Sequence, residues 1–238
     1  MKPQIAITPN SSDNELKDSH ALKELPKQDE PAKIVDFEEC IDFLNQQGKK
    51  IFGKRFLIDP MDYEVVFKII VYLIKDIKNA RKHKIDLNKG ILLSGPIGCG
   101  KTTLMRLVNL MNTNNCKFSI KSCREISFDF ITNGYQVILN YSYQSLKIKD
   151  NTKAPKTWCF EGLGMENNLK YYGSECNVLA EILMNRSELF IEIGMLTHIT
   201  THLTAQEIEK IYGKEIRSKM RGMFNLISFN QNSKDKRI

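Results

Sequence analysis

Residues 91 to 103 read ILLSGPIGCGKTT, in which Gly95 is followed by four residues and then by Gly100, Lys101 and Thr102. This is the Walker A spacing of a nucleotide phosphate-binding loop. Glycines at 95, 98 and 100 let backbone N–H groups converge on phosphate oxygens without obstruction by a Cβ. Lys101 has the reach for the β and γ phosphates, and the Thr102 hydroxyl is of the type that ligates Mg²⁺. Pro96, Ile97, Cys99 and Thr103 complete the cradle, so 95–103 are the candidate nucleotide-binding residues, and ATP with Mg²⁺ is the ligand they imply.

A loop of this kind works only between a strand and a helix. The apolar run before Gly95 supplies the strand. Leu104, Leu107, Val108 and Met111 supply one face of a helix, whose N-terminus then meets the phosphates. Further strands are expected at 117–122, 157–161, 196–202 and 225–229. Helices are expected at 124–132 and 174–193, after the capping-box pair Thr204 and Glu207 as far as Gly213, and again around Met220 and Met223. Alternating strands and helices predict an α/β P-loop NTPase fold, a parallel sheet flanked by helices with ligands at the C-terminal strand edges.

Upstream, a short amphipathic helix over 34–45 is expected to bury Val35, Cys40 and Phe43 or Leu44 and to end at Gly48. A longer one after Asp59 or Pro60 is expected to carry Val66, Ile69, Ile70, Leu73 and Ile77 as its buried stripe. Lys75, Lys78, Arg81, Lys82 and Lys84 at its far end either complement a helix C-terminus, the favoured reading, or form a nucleic-acid patch. Residues 1–33 are polar, with five lysines against six acids and no sustained hydrophobic period, and read as a disordered tail. The expected division is therefore a tail over 1–33, a small N-terminal helical segment over 34–88, and an ATPase domain over 89–238.

The chain has 238 residues, a net charge of +7 and six cysteines. The cysteines form no CxxC pair and no metal-like cluster with the histidines, as expected of reduced thiols in a cytoplasmic protein. No run is long and apolar enough for a membrane span, and the N-terminus has no secretory-type apolar segment. The positive excess lies outside 1–33 and permits an acidic partner such as DNA. Lys210, Lys214, Arg217, Lys219, Arg221, Lys234, Lys236 and Arg237 are its C-terminal share.

Three blocks, KGILLSGPIGCGKTTL, CFEGLGMENNLKYYGSECNVLAEIL and THITTHLTAQEIEKIYGKEIRSKMRGMFNLISF, resemble the AAA+ ATPases related to the helicase loader DnaC and the transposition helper IstB. The last block, with TT-x-LTA followed by EIEKIYG and IRSKM, is the most particular. The resemblance implies an AAA+ core that binds ATP with Mg²⁺, assembles with neighbouring copies in an ATP-dependent homo-oligomer, and works on a DNA-associated protein partner, with no membrane involved.

The resemblance also assigns roles. The second nucleotide motif should end in two acids, the first serving Mg²⁺ and the second orienting water; here they are Glu161 and Gly162. His202 stands where relatives carry a polar sensor, and is either that sensor or a structural strand-end histidine. Where relatives carry a trans-acting arginine, the chain has Ser218 and Lys219 flanked by Arg217 and Arg221. Lysine lacks the planar fork of arginine. Glu166 is either a substitute base or a solvated loop acid. The catalytic candidates are thus Glu161, His202, Lys219 and Arg217, and the metal candidates Thr102 and Glu161. Two functions follow: a weak ATPase that loads or targets a DNA-associated partner, or a nucleotide-binding switch with negligible hydrolysis. A small-molecule kinase stands further off, because 145–150 offers no arginine-rich lid.

Overall fold

The computed structural model describes residues 36–112, 117–149, 152–166, 169–171 and 173–237. Residues 34–238 form one compact unit. The tail expected over 1–33, the buried position expected for Val35, and Cys116 lie outside the described residues.

In chain order the elements are α1 (Phe37–Phe52), a 3-10 turn (Pro60–Asp62), α2 (Tyr63–Leu73), α3 (Ile77–Lys82), β1 (Gly90–Ser94), α4 (Lys101–Met111), β2 (Ser119–Ser122), α5 (Cys123–Asn133) and α6 (Gln136–Tyr141). A hairpin of β3 (Leu146–Lys149) and β4 (Thr152–Pro155) precedes β5 (Trp158–Leu163). A second hairpin of β6 (Leu169–Tyr171) and β7 (Ser174–Cys176) leads to α7 (Val178–Ile193), β8 (Thr197–Thr201), α8 (Ala205–Met223) and β9 (Phe224–Ser228).

The main sheet has five strands in the order β2-β5-β8-β1-β9, and every pairing is parallel. Helices cover both of its faces, as is usual for a parallel sheet. In β1, Ile91 and Leu93 point into a core shared with α1, α2 and α4. Leu92 points the other way, against the core built by α5, α7 and α8. The α/β sheet flanked by helices is therefore the fold that the alternation of strands and helices predicts.

Several boundaries differ from the sequence expectation, each for a local reason. Helix α1 does not stop at Gly48, which is buried inside it, because the Phe56 ring fills the space a side chain would need. The helix runs on to Phe52 and Gly53. The single long helix expected through Ile77 is two helices: Lys75 takes φ 58°, and the Asp76 carboxylate accepts from Asn79 N at 3.0 Å to start α3. Ile77 is consequently exposed. Helix α7 starts at Val178, where Asn177 caps it by accepting from Ala180 N at 3.0 Å, and Ser174–Cys176 pairs as a strand instead.

Cys40, Cys99, Cys123, Cys159 and Cys176 are free thiols, and burial raises the pKa of each. Among the described residues, no helix is long and apolar enough to cross a membrane.

His198, in the central strand β8, is 3% exposed. Its Nδ1 accepts from Ile91 N at 3.1 Å, which ties β8 to β1, and the rings of Tyr72 and Phe118 pack edge-on against it. Burial, with Lys75 and Arg186 nearby, lowers its pKa to about 3. In the unfolded chain the imidazole gains its proton below about pH 6.5, whereas in the fold it stays neutral until about pH 3. Its contribution is therefore complete above the higher value and is lost as pH falls through that window, at up to about 1.4 kcal/mol per pH unit. Between pH 7 and 5 the protein should lose about 2 kcal/mol more stability than His198→Gln, whose amide oxygen can still accept from Ile91 N. Urea unfolding at the two pH values measures this, and equal losses would show that His198 is not the group responsible.

Candidate nucleotide-binding site

The phosphate loop hangs from the C-terminal end of β1. Gly98 and Gly100 adopt φ 82° and 97°, conformations that cost L-residues with a side chain energy. Gly100 is the N-cap of α4, and no side chain caps that helix. Its first N–H groups and the positive end of its dipole thus face the loop, an arrangement suited to an anion. Lys101 curls into the loop, donating to Gly95 O at 2.8 Å and Pro96 O at 2.7 Å, with Cys99 Sγ at 3.8 Å. Burial lowers the pKa of this amine. The cradle fits a polyphosphate: a glycine-lined loop, a lysine amine within the loop and an uncapped helix.

The loop separates two cavities. One of about 520 Å³ is lined by Phe52, Phe56, Ile58, Leu107, Gly100 and Thr103, among others. The other, of about 620 Å³, brings Gly95 and Pro96 together with His202, Arg217, Arg221 and Leu226. Both volumes suit a small ligand.

At the end of β5 the structure departs from a regular strand. Phe160 pairs with Ile199 and Leu163 with Thr201, so a bulge accommodates the extra residue. Gly162, at φ 76°, lies within this bulge, and its N–H donates to Thr200 Oγ1 at 3.0 Å. The position at which the resemblance expects a second acid therefore has a backbone that favours glycine, and a Cβ there would lie 3.2 Å from Met165 Sδ. Thr201 Oγ1 donates to Leu163 O at 2.8 Å, so the two threonines staple β8 to β5.

Glu161 is paired with Arg106 of α4, Oε2 to Nη2 at 3.3 Å. Glu166 is not a solvated loop acid. It accepts from the Tyr212 hydroxyl and, at 2.8 Å, from Gly164 N, and burial together with this carboxylate raises the Tyr212 pKa. Among the described residues no group of three or more His, Cys, Asp or Glu side chains is arranged to hold a metal. Mg²⁺ fits such a site when phosphates and waters supply most of its ligands; Thr102 and Glu161 are the residues that would hold it.

The remaining candidates sit on α8 or beside it. Gly213 interrupts that helix at φ 89° and ψ 161°. Across the interruption Arg217 is ion-paired with Glu209, while Lys219 lies 3.9 Å from Glu215. His202, Arg217 and Arg221 share the larger cavity with the phosphate loop. Arg106 and Tyr212 were missed in the sequence. Tyr212 lies in the EIEKIYG block, but nothing local reveals that it holds Glu166.

The parallel order β2-β5-β8-β1-β9, with a phosphate loop leaving the strand between β8 and β9, defines an α/β fold of the P-loop NTPase kind. No family model and no curated protein matches the chain. Similar solved structures include the DnaC helicase loader (TM-score 0.41, 15% identity, covering 67% of this chain and 91% of that one) and DnaI (TM-score 0.42, 19% identity, 74% and 89%). AMPPCP-bound DnaA from Aquifex aeolicus is similar at TM-score 0.46 and 12% identity, covering 74% of this chain, which spans 48% of that one. These are distant likenesses of fold.

Proposed function

We propose that the protein binds ATP with Mg²⁺ and acts as a slow, nucleotide-dependent helper of a DNA-associated protein partner. The observation that carries the reading is the pairing of an intact phosphate cradle with a β5 end whose groups are all engaged. Gly100 to Thr103 and Lys101 Nζ would bind the phosphates, and the 520 Å³ cavity beside Gly100 would receive the nucleoside against Phe52, Phe56 and Ile58. Bound Mg²⁺ would supply charge neutralisation of the phosphates. Glu161, held by Arg106, must exchange that partner to serve the ion, and Glu166, held by Tyr212, is poorly placed to take a proton from water. We therefore propose slow turnover over rapid hydrolysis.

The partner half of the reading rests on the resemblance of the three sequence blocks to the loader and helper group. Four of the C-terminal cations named above are paired with acids: Arg217, Lys219, Lys236 and Arg237. This weakens the case for a DNA-binding face there and favours a protein partner as the direct contact.

Calorimetry with ATP and Mg²⁺, followed by turnover measured with and without DNA, tests the proposal. Tight binding with turnover of order 10⁻² s⁻¹ or slower is expected. Turnover at the rates of ordinary ATPases would favour the active-loader alternative, and absent binding would end the nucleotide reading. Any DNA affinity should be modest and fall steeply with salt.

A further inference from the structure

Beyond β9 the chain folds back over the phosphate loop. Phe229 N donates to Ser94 O at 2.8 Å, and a turn closes at Ser233 N to Asn230 O at 3.0 Å. The next residues reach the loop itself. Lys236 N donates to Gly98 O at 3.0 Å, and Lys236 Nζ donates to Cys99 O at 3.0 Å and to the Asp62 carboxylate. Asp62, at the start of α2, is 4% exposed. The Asp235 carboxylate packs on Gly98, where it would collide with any side chain, and Arg237 Nε holds it at 2.9 Å. Lys236 and Arg237 line the same cavity as Cys99, Gly100 and Thr103.

These contacts have a mechanical consequence. Lifting Lys236 strips a buried carboxylate of its cationic partner, which is costly. With the segment down, the Asp235–Arg237 ion pair lies beside the loop in the path of an approaching phosphate. We propose that residues 230–237 are a strap across the nucleotide site, latched by Lys236 and Asp62, that governs how fast nucleotide enters and leaves. The proposal rests on the ATP-binding reading above and adds its regulation.

Stopped-flow fluorescence with N-methylanthraniloyl-ADP and Mg²⁺ tests it on the full chain. Asp62→Asn keeps the shape of the latch and removes its charge. The double variant Asp62→Asn/Lys236→Met removes both partners without leaving a buried carboxylate unpaired. Association and release should both rise about tenfold in each variant, the size expected for losing a partly buried ion pair, while their ratio stays nearly constant. Rates equal to those of the unsubstituted chain overturn the strap. A loss of affinity at an unchanged association rate overturns it too, because Lys236 would then be an ordinary ligand of the nucleotide. If the unsubstituted chain binds no nucleotide, the ATP-binding reading fails and the strap with it; binding with unaltered rates removes the strap alone.

Discussion

Lys101→Ala is expected to weaken ATP binding roughly 10- to 150-fold, the equivalent of about 1.5 to 3 kcal/mol for a charge-assisted contact to phosphate. The fold should survive, because the amine's closest partners are carbonyls of its own loop, Gly95 O and Pro96 O, with the Cys99 thiol further off at 3.8 Å. Calorimetric titration of the variant, with its thermal transition as control, gives the answer. Unchanged affinity in a folded variant would refute the assignment of this loop to nucleotide.

The second large effect concerns stability. Arg186 is fully buried on α7 and ties that helix to α6, to β8 and the residue before it, and to the connection between β4 and β5. Its guanidinium donates to Thr197 Oγ1 at 2.7 Å, Tyr141 O at 2.8 Å, Leu196 O at 2.8 Å and Lys156 O at 3.2 Å, with the Phe160 ring 5.6 Å away. Burial lowers its pKa to about 9, so at neutral pH it remains charged and is solvated by carbonyl dipoles in place of water. Arg186→Met fills part of the space but leaves those oxygens without a donor. A loss of about 3 to 5 kcal/mol is expected, read as a shift in urea midpoint. A loss below about 1 kcal/mol would mean that the orphaned carbonyls had found other donors.

What could be read from the sequence was set by how local each signal is. The strand before Gly95, the helix after Lys101, and the Thr204 and Glu207 cap are encoded within a few residues of themselves, and the structure has them where the pattern puts them. The five sheet strands were likewise marked locally, by apolar runs or by alternation such as Phe118 and Ile120 among polar residues. Helix α6 and the two hairpins were not, because 136–141 is too short to show a period and the hairpins lie in polar chain. Long-range partners were invisible for a different reason. Nothing near Glu166 announces that Tyr212 will take it, and nothing near Arg186 announces the carbonyls of Tyr141 and Lys156. The bulge at Gly162 is the most instructive case. The resemblance implies a missing acid, whereas the structure shows a backbone conformation that favours glycine at that position.

The place of β1 in the sheet bears on how the molecule is made. Its two neighbours are β8 and β9, the last strands of the sheet to leave a ribosome, whereas β1 is the first. Until Thr197–Thr201 has been synthesised, both hydrogen-bonding edges of Gly90–Ser94 lack their native strands, and closing such long loops makes pairing slow. The phosphate loop therefore has no anchored strand to hang from until β8 has been made. Nascent chains stalled before residue 197 should be unable to retain nucleotide, and ligand retention would date the moment at which the sheet closes.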